Sequence, residues 1–411
     1  MSKDVKNVPA LRFKGYSDAW EKRKLREVSD VRDGTHASPK YYSQGYPLVT
    51  SKNLTSAGLD FSNISLISEL DYKNINKRSR VDKGDILFGM IGTIGTPVMV
   101  HESNFAIKNV ALIKEREAVL NSFLVQLLKS PAFINYIRNE NVGGTQKFLS
   151  LNTIRNFRFS FPTSKEQAMV SRFLEKIDSL IAATQDKIDA LEQAKRALLQ
   201  RLFDQSWRFK GYSDPWEKRK LGETNSYFTD GNYGESYPKE SELSDKENGV
   251  PFLRGSNLRN GELIEDNANY ITKEKHAELT SGHLVEDDIV LAVRGSLGAL
   301  GYVKEENIDW NINSQLAVIR TDKSELSGKF LAQFLLSWRG QKELLSRNTG
   351  TALKQLPIKQ LKDVPVPIVN LDEQKEISAL FTSIDNLIAA TQSRLSSLEL
   401  LKKALLQDLF I

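Results

Sequence analysis

The chain has 411 residues, 40% of them hydrophobic and 27% charged, with a formal net charge of +5; it is too long for one ordinary core and too apolar to be disordered. It contains no cysteine, which excludes disulfides, thiol nucleophiles and cysteine-bearing zinc sites and suits a reducing cytoplasm. No stretch approaches membrane-spanning length, and the mild basicity leans only weakly towards polyanionic partners.

In chain order the first element is the string RFKGYSDAWEKRKL at residues 12–25, which returns as RFKGYSDPWEKRKL at 208–221 with thirteen of fourteen positions identical. The rest of the chain follows suit. YPLVTSKNL (46–54) matches VPFLRGSNL (250–258) in pattern, and KGDILFGMIGTIG (83–95) matches EDDIVLAVRGSLG (286–298). NSFLVQLLKS (121–130) resembles GKFLAQFLLS (328–337), and GGTQKFLSL (143–151) answers TGTALKQLP (349–357). A unit of about 200 residues is used twice, a period far too long for a solenoid. Short apolar runs such as DILFGMIGT and FRFSFP, bounded by turn residues, read as strands. A helical piece near 123–138 interrupts them.

Each copy then closes with a stretch free of proline and glycine, 166–203 and 373–410. Its apolar residues recur every seven: Leu174, Ile181, Ile188 and Leu202, with Ile177, Leu191 and Leu198 as the second seam. In the second copy the seams are Phe381, Ile388, Leu395 and Leu409, with Ile384, Leu398 and Leu405. Even the irregular members recur in place, Thr184 with Thr391 and Lys195 with Lys402. A heptad sustained this long predicts a coiled coil; the plainer alternative packs each helix on its own globular part. Chain order makes the pair antiparallel, so the repeated joint would follow the end of the first helix in sequence and the end of the second in space. The expected layout is a mixed α/β (α+β) chain of four parts: globular parts at 1–165 and 206–372, long helices at 166–205 and 373–411, in a cyclic, pseudo-two-fold arrangement.

Catalytic signals are thin. There is no phosphate-binding G-x-x-x-x-G-K-[ST] loop and no Asn-Pro-Pro-Tyr or Asn-Pro-Pro-Phe tetrapeptide. The four histidines (His36, His101, His276, His283) follow no metal-ligand spacing, so no metal site is expected. Asp287–Asp288 and Glu265–Asp266 are neighbours that would face opposite ways on a strand. GMIGTIG reads as a strand entering a tight turn. What recurs is polar loop chemistry of the kind that reads base edges or holds phosphates. The first copy offers Arg32, Thr35, His36, Lys52, Asn53, Thr93, Thr145, Gln146 and Lys147. The second offers Asn232, Tyr233, Arg254, Ser256, Asn257, Arg294, Ser296, Thr351, Lys354 and Gln355. Matched places carry different side chains, Lys52 against Ser256 and Ile91 against Arg294, which suggests two surfaces of one design with different sequence tastes.

The layout resembles the specificity subunit of a type I restriction–modification system. The carriers are the helices DSLIAATQ (178–185) and DNLIAATQ (385–392), opened by KEQ and DEQ, and the twin KGYSD-x-WEKRKL joints. The resemblance implies two target-recognition domains on double-stranded DNA, with the helices docking two modification subunits and two restriction subunits joining the larger assembly. It implies that S-adenosylmethionine, ATP and magnesium belong to those partners, that this chain is not an enzyme, and that it works in the cytoplasm, away from membranes. The rivals are a protein-binding scaffold and a self-sufficient methyltransferase or nuclease.

Overall fold

A computed structural model describes residues 7–92, 94–140, 148–350 and 353–411. The chain forms two compact units: Met1–Gln185 with Gln392–Ile411, and Asp186–Thr391. The division falls inside both long helices, so each unit owns one globular part and a segment of each helix.

The first unit is built on an antiparallel sheet in the order Asp30–Asp33, Val110–Lys114, Ile86–Gly89, Gly95–Met99. Its two central strands, Val110–Lys114 and Ile86–Gly89, are apolar on both sides. Ile86, Phe88, Ala111 and Ile113 join a core with Phe123, Phe133 and Phe159, while Leu87, Val110 and Leu112 face a second core with Val49, Val98 and Ile107. That is why ILF reads as an unbroken apolar run, since alternation vanishes when both faces are covered. A three-stranded sheet, Ser65–Ile67, Tyr46–Val49 and Ala106–Ile107, lies beyond the second core, its last pair parallel. The second unit repeats the plan with Tyr227–Asp230, Leu316–Arg320, Ile289–Ala292 and Leu300–Tyr302 in the same order. Its second sheet has one extra strand, Leu243–Ser244, formed by the longer segment that follows Asp230.

The helical piece expected near 123–138 is two helices, Asn121–Leu128 and Pro131–Glu140. Proline fits the first turn of a helix but not its interior, so Pro131 starts a new one. The second unit breaks at the matching place, between Gly328–Leu336 and Trp338–Leu345, where Ser337 caps the second piece through the Gly340 amide.

The long helices run from Ser164 to Phe203 and from Leu371 to Asp408. Every expected seam position is buried or half-buried, whereas the flanking Leu180, Leu387, Leu400 and Leu401 are exposed. In the first unit Leu174, Ile177 and Ile181 share one core with Leu405 and Leu409; in the second, Leu198 and Leu202 share one with Phe381 and Ile384. The irregular members are explained too. Thr184 and Thr391 are buried and donate to the Leu180 and Leu387 carbonyls, 2.6 Å each, satisfying their hydroxyls within their own helix. Lys402 pairs with Asp178 in the first unit, and Lys195 with Asp385 in the second.

The repeated joint does the same work twice. Arg12 grips Glu166 through two bonds of 2.8 and 2.9 Å, and its third nitrogen donates to the Asp18 carbonyl. Arg208 grips Glu373 at 2.6 and 2.7 Å and reaches the Asp214 carbonyl. Gln167 and Gln374, next along the helices, each accept one backbone N–H and donate to two carbonyls. The joint tryptophans pack towards the helix ends: Trp20 meets Phe123, which in turn meets Phe410, and Trp216 meets Phe330 and Phe203. The Leu11 amide also donates to the Asp408 carbonyl at 3.0 Å, so the first joint meets the end of the second helix in space.

Candidate nucleic-acid interface

In each unit the polar loops leave one edge of the main sheet. Strands Asp30–Asp33, Tyr46–Val49 and Ile86–Gly89 end there, and Val110–Lys114 begins there. The connection closing this edge is Lys108–Asn109: Thr35 bridges Lys108, the Lys108 amide donates to Val49, and Lys108 Nζ donates to Ser38 Oγ at 2.8 Å. In the second unit Asn232 bridges Asn313, the Gly255 amide donates to Gln315 Oε1, and Arg294 bridges Gln355 and donates to the Ser314 carbonyl at 2.5 Å. Gly34 and Gly231 make the tight approach possible. A Cβ would stand 2.4 Å from the Ile107 oxygen at the first and 1.8 Å from the Asn313 oxygen at the second, distances no other side chain permits.

The edge therefore gathers Thr35, His36 and Lys52 in the first unit, and Tyr233, Ser256, Arg294, Ser296, Lys354 and Gln355 in the second. Lys52, Ser256, Ser296 and Lys354 are exposed, and Tyr233 is 66% exposed. His36 is exposed with both ring nitrogens facing oxygens, Asp33 Oδ2 at 2.9 Å and Asn109 Oδ1 at 2.8 Å. These two bonds push its pKa above the ordinary histidine value, Asp33 contributing most, and place a titratable cation at the edge. Burial raises the Asp230 carboxyl above its usual range, with the Arg294 charge opposing.

Four of the expected readers have polar atoms engaged in frame contacts. Asn257 is fully buried: its oxygen accepts the Arg254 amide, and its nitrogen donates to the Ile264 and Asp266 carbonyls. Asn53 holds the equivalent turn through Thr50 and the Asp60 carbonyl. Asn232, 4% exposed, is spent on Ser281 and Asn311. Arg32 lies within a strand and is clamped to Asp30 at 2.7 and 3.0 Å, a pair that lowers the Asp30 pKa and raises its own. Arg254 is half-buried, with one nitrogen on the Asn267 carbonyl. Thr93, Thr145, Gln146, Lys147 and Thr351 lie outside the described residues.

The sequence reading missed Lys108, Asn109, Ser314 and Gln315. Aligning IKNV (107–110) with INSQL (312–316) exposes the signal, a short polar insert between two apolar strands at matching places. It also missed the exposed Phe148, which bridges the exposed Ile91 at the first edge. The adjacent carboxylates have structural partners: Asp288 holds Arg320 with two 2.8 Å bonds, and Asp287 accepts from Tyr302 at 2.8 Å. Among the described residues no helix is long and apolar enough to cross a membrane.

Two copies of one α/β unit, each turning a polar loop edge outward and sharing two long helices, define a tandem recognition protein. The chain belongs to the type I restriction–modification DNA specificity domain family, whose model matches residues 17–193 and again 213–400. It is 23% identical over 414 residues to the type I restriction enzyme MjaIX specificity subunit of Methanocaldococcus jannaschii, an alignment that covers 95% of this chain and 92% of the relative. The EcoBI specificity subunit of Escherichia coli is 24% identical over 354 residues, 79% of this chain and 73% of its own. In fold the chain is similar to the crystal structure of a type I restriction–modification S subunit from M. genitalium, with TM-score 0.63 and 17% identity, covering 98% and 99% of the two chains.

Proposed function

We propose that this chain is the non-catalytic, target-reading subunit of a type I restriction–modification complex, in which each unit reads one half of a bipartite, non-palindromic duplex site across an unread spacer. Partner modification and restriction subunits, two of each, would dock on it; S-adenosylmethionine, ATP and magnesium would serve their adenine methylation and DNA cleavage. The observation that supports this reading most is the division of labour at the two edges. What the units share is frame: the Asn53 and Asn257 turns and the Gly34 and Gly231 approaches. What differs is exposed: His36 and Lys52 on one side, Tyr233, Ser256 and Arg294 on the other. Identical readers related by two-fold symmetry would require a palindrome; different readers on one frame do not.

The test measures duplex binding by the assembled modification complex over a salt series, with each half-site randomised in turn. Phosphate contacts make affinity fall steeply with salt, which a protein-binding scaffold would not show. Lys52→Ala is expected to relax one half-site and Arg294→Ala the other, each by roughly 1–3 kcal/mol of discrimination. Uniform weakening over both halves would assign these residues to phosphate contact alone, and a palindromic target would overturn the two-reader scheme.

A further inference from the structure

We propose that the second unit holds a divalent transition-metal ion, zinc by its chemistry, on His276, His283 and Asp309. His276 sits on helix Lys273–Glu278, His283 on the segment after it, and Asp309 in the turn before strand Asn311–Ile312. One ligand atom from each lies within 4.8 Å of the others. His276 Nε2 is 3.1 Å and His283 Nδ1 3.5 Å from Asp309 Oδ1. Two ligand atoms on a tetrahedral ion, each about 2.0–2.1 Å from it, stand about 3.3–3.4 Å apart, so these separations bracket the value required.

Two further observations favour an ion. His283 Nε2 lies 2.7 Å from the Leu279 carbonyl, which can only accept, so that nitrogen carries the proton. His283 Nδ1 then faces a carboxylate oxygen at 3.5 Å, an arrangement that calls for a proton or a metal ion between the two atoms. A backbone carbonyl taking the second N–H is the usual way a ligating histidine is oriented. His276 is 7% exposed, its Nδ1 has no hydrogen-bond partner, and its Nε2 faces Asp309 Oδ1 at 3.1 Å without forming a regular hydrogen bond, a costly state for buried polar atoms. Asp309 remains largely exposed, leaving the outer coordination position to water. Imidazole nitrogens select a transition metal over magnesium or calcium. The first unit has Tyr72, Arg80 and Asn104 at the matching places, so the site belongs to one unit only.

Such an ion would brace the reading edge. Ser281 lies between the two histidines, and its carbonyl and hydroxyl hold Asn232, beside the exposed Tyr233. Calorimetric titration of the full chain with Zn²⁺, after chelator treatment, should show one ion per chain. His283→Ala and Asp309→Asn, whose side chains are the more accessible of the three, should each weaken binding at least tenfold, and His101→Ala should leave it unchanged. Zn²⁺ should raise the thermal midpoint of the wild type and not of His283→Ala, and Co²⁺ should give a visible absorption band that both variants lose. The absence of saturable one-to-one binding, equal affinity for Mg²⁺, or unchanged binding in both variants would overturn the proposal; the first outcome would mean that a proton alone occupies the space.

Discussion

Glu373 is wholly buried, and its two oxygens are taken by Arg208, with Trp216 Nε1 adding a contact at 3.3 Å. Removing one member of a buried pair strands the other charge, so Glu373→Ala should lose about 3–5 kcal/mol of unfolding free energy, measured by denaturant titration. A loss below 1 kcal/mol would mean that water reaches Arg208 freely. His36 makes a different prediction. Its folded pKa is raised by Asp33 and Asn109, so its contribution is fully present below the unfolded value of about 6.5 and is lost as pH rises through the folded value. The stability difference between wild type and His36→Ala should therefore shrink from pH 5.5 towards pH 8, and a difference independent of pH would contradict the two hydrogen bonds. At this scale the sequence is a poor guide to which polar residue is free. Asn232 and Tyr233 are neighbours of similar promise, yet one is consumed by Ser281 and Asn311, 49 and 79 positions away, while the other stands exposed.

The long helices were legible because a heptad is a local signal that needs no knowledge of the partner. The expected seam positions are all buried or half-buried, and Thr184 and Lys195, the odd members, are met by a helix carbonyl and by Asp385. The sheets were legible as strands but not as a sheet order, since pairing depends on residues far apart in the chain. The break at Pro131 was readable from proline chemistry and passed over. Position within the helix sets what a substitution costs. Ile188 is 4% exposed and Leu400 67% exposed; Ile188→Ala should cost about 2–5 kcal/mol, and Leu400→Ala no more than about 0.5 kcal/mol, by thermal or chemical unfolding. Equal costs would place the seam elsewhere on the helix.

Both long helices belong partly to each compact unit, and a spacer set by them is open to a whole-molecule test. One extra heptad in each, between Thr184 and Ala194 and between Thr391 and Leu401, keeps the seam in phase and adds about 10 Å, or roughly three base pairs of B-DNA. Mapping modified adenines should show the unread spacer lengthened by about that amount, with both half-sites unchanged. A folded, partner-bound variant that keeps the original spacer would show that the helices do not set it. The twin joint carries a consequence for inheritance. Because Arg12 with Glu166 and Arg208 with Glu373 are the same clasp, a globular part bounded by these strings can be exchanged by homologous crossover within the matching segments. The newcomer arrives with its anchoring chemistry already correct. On the proposed function, such an exchange would bring a new reading edge in one genetic event, with the clasp that anchors it already in place.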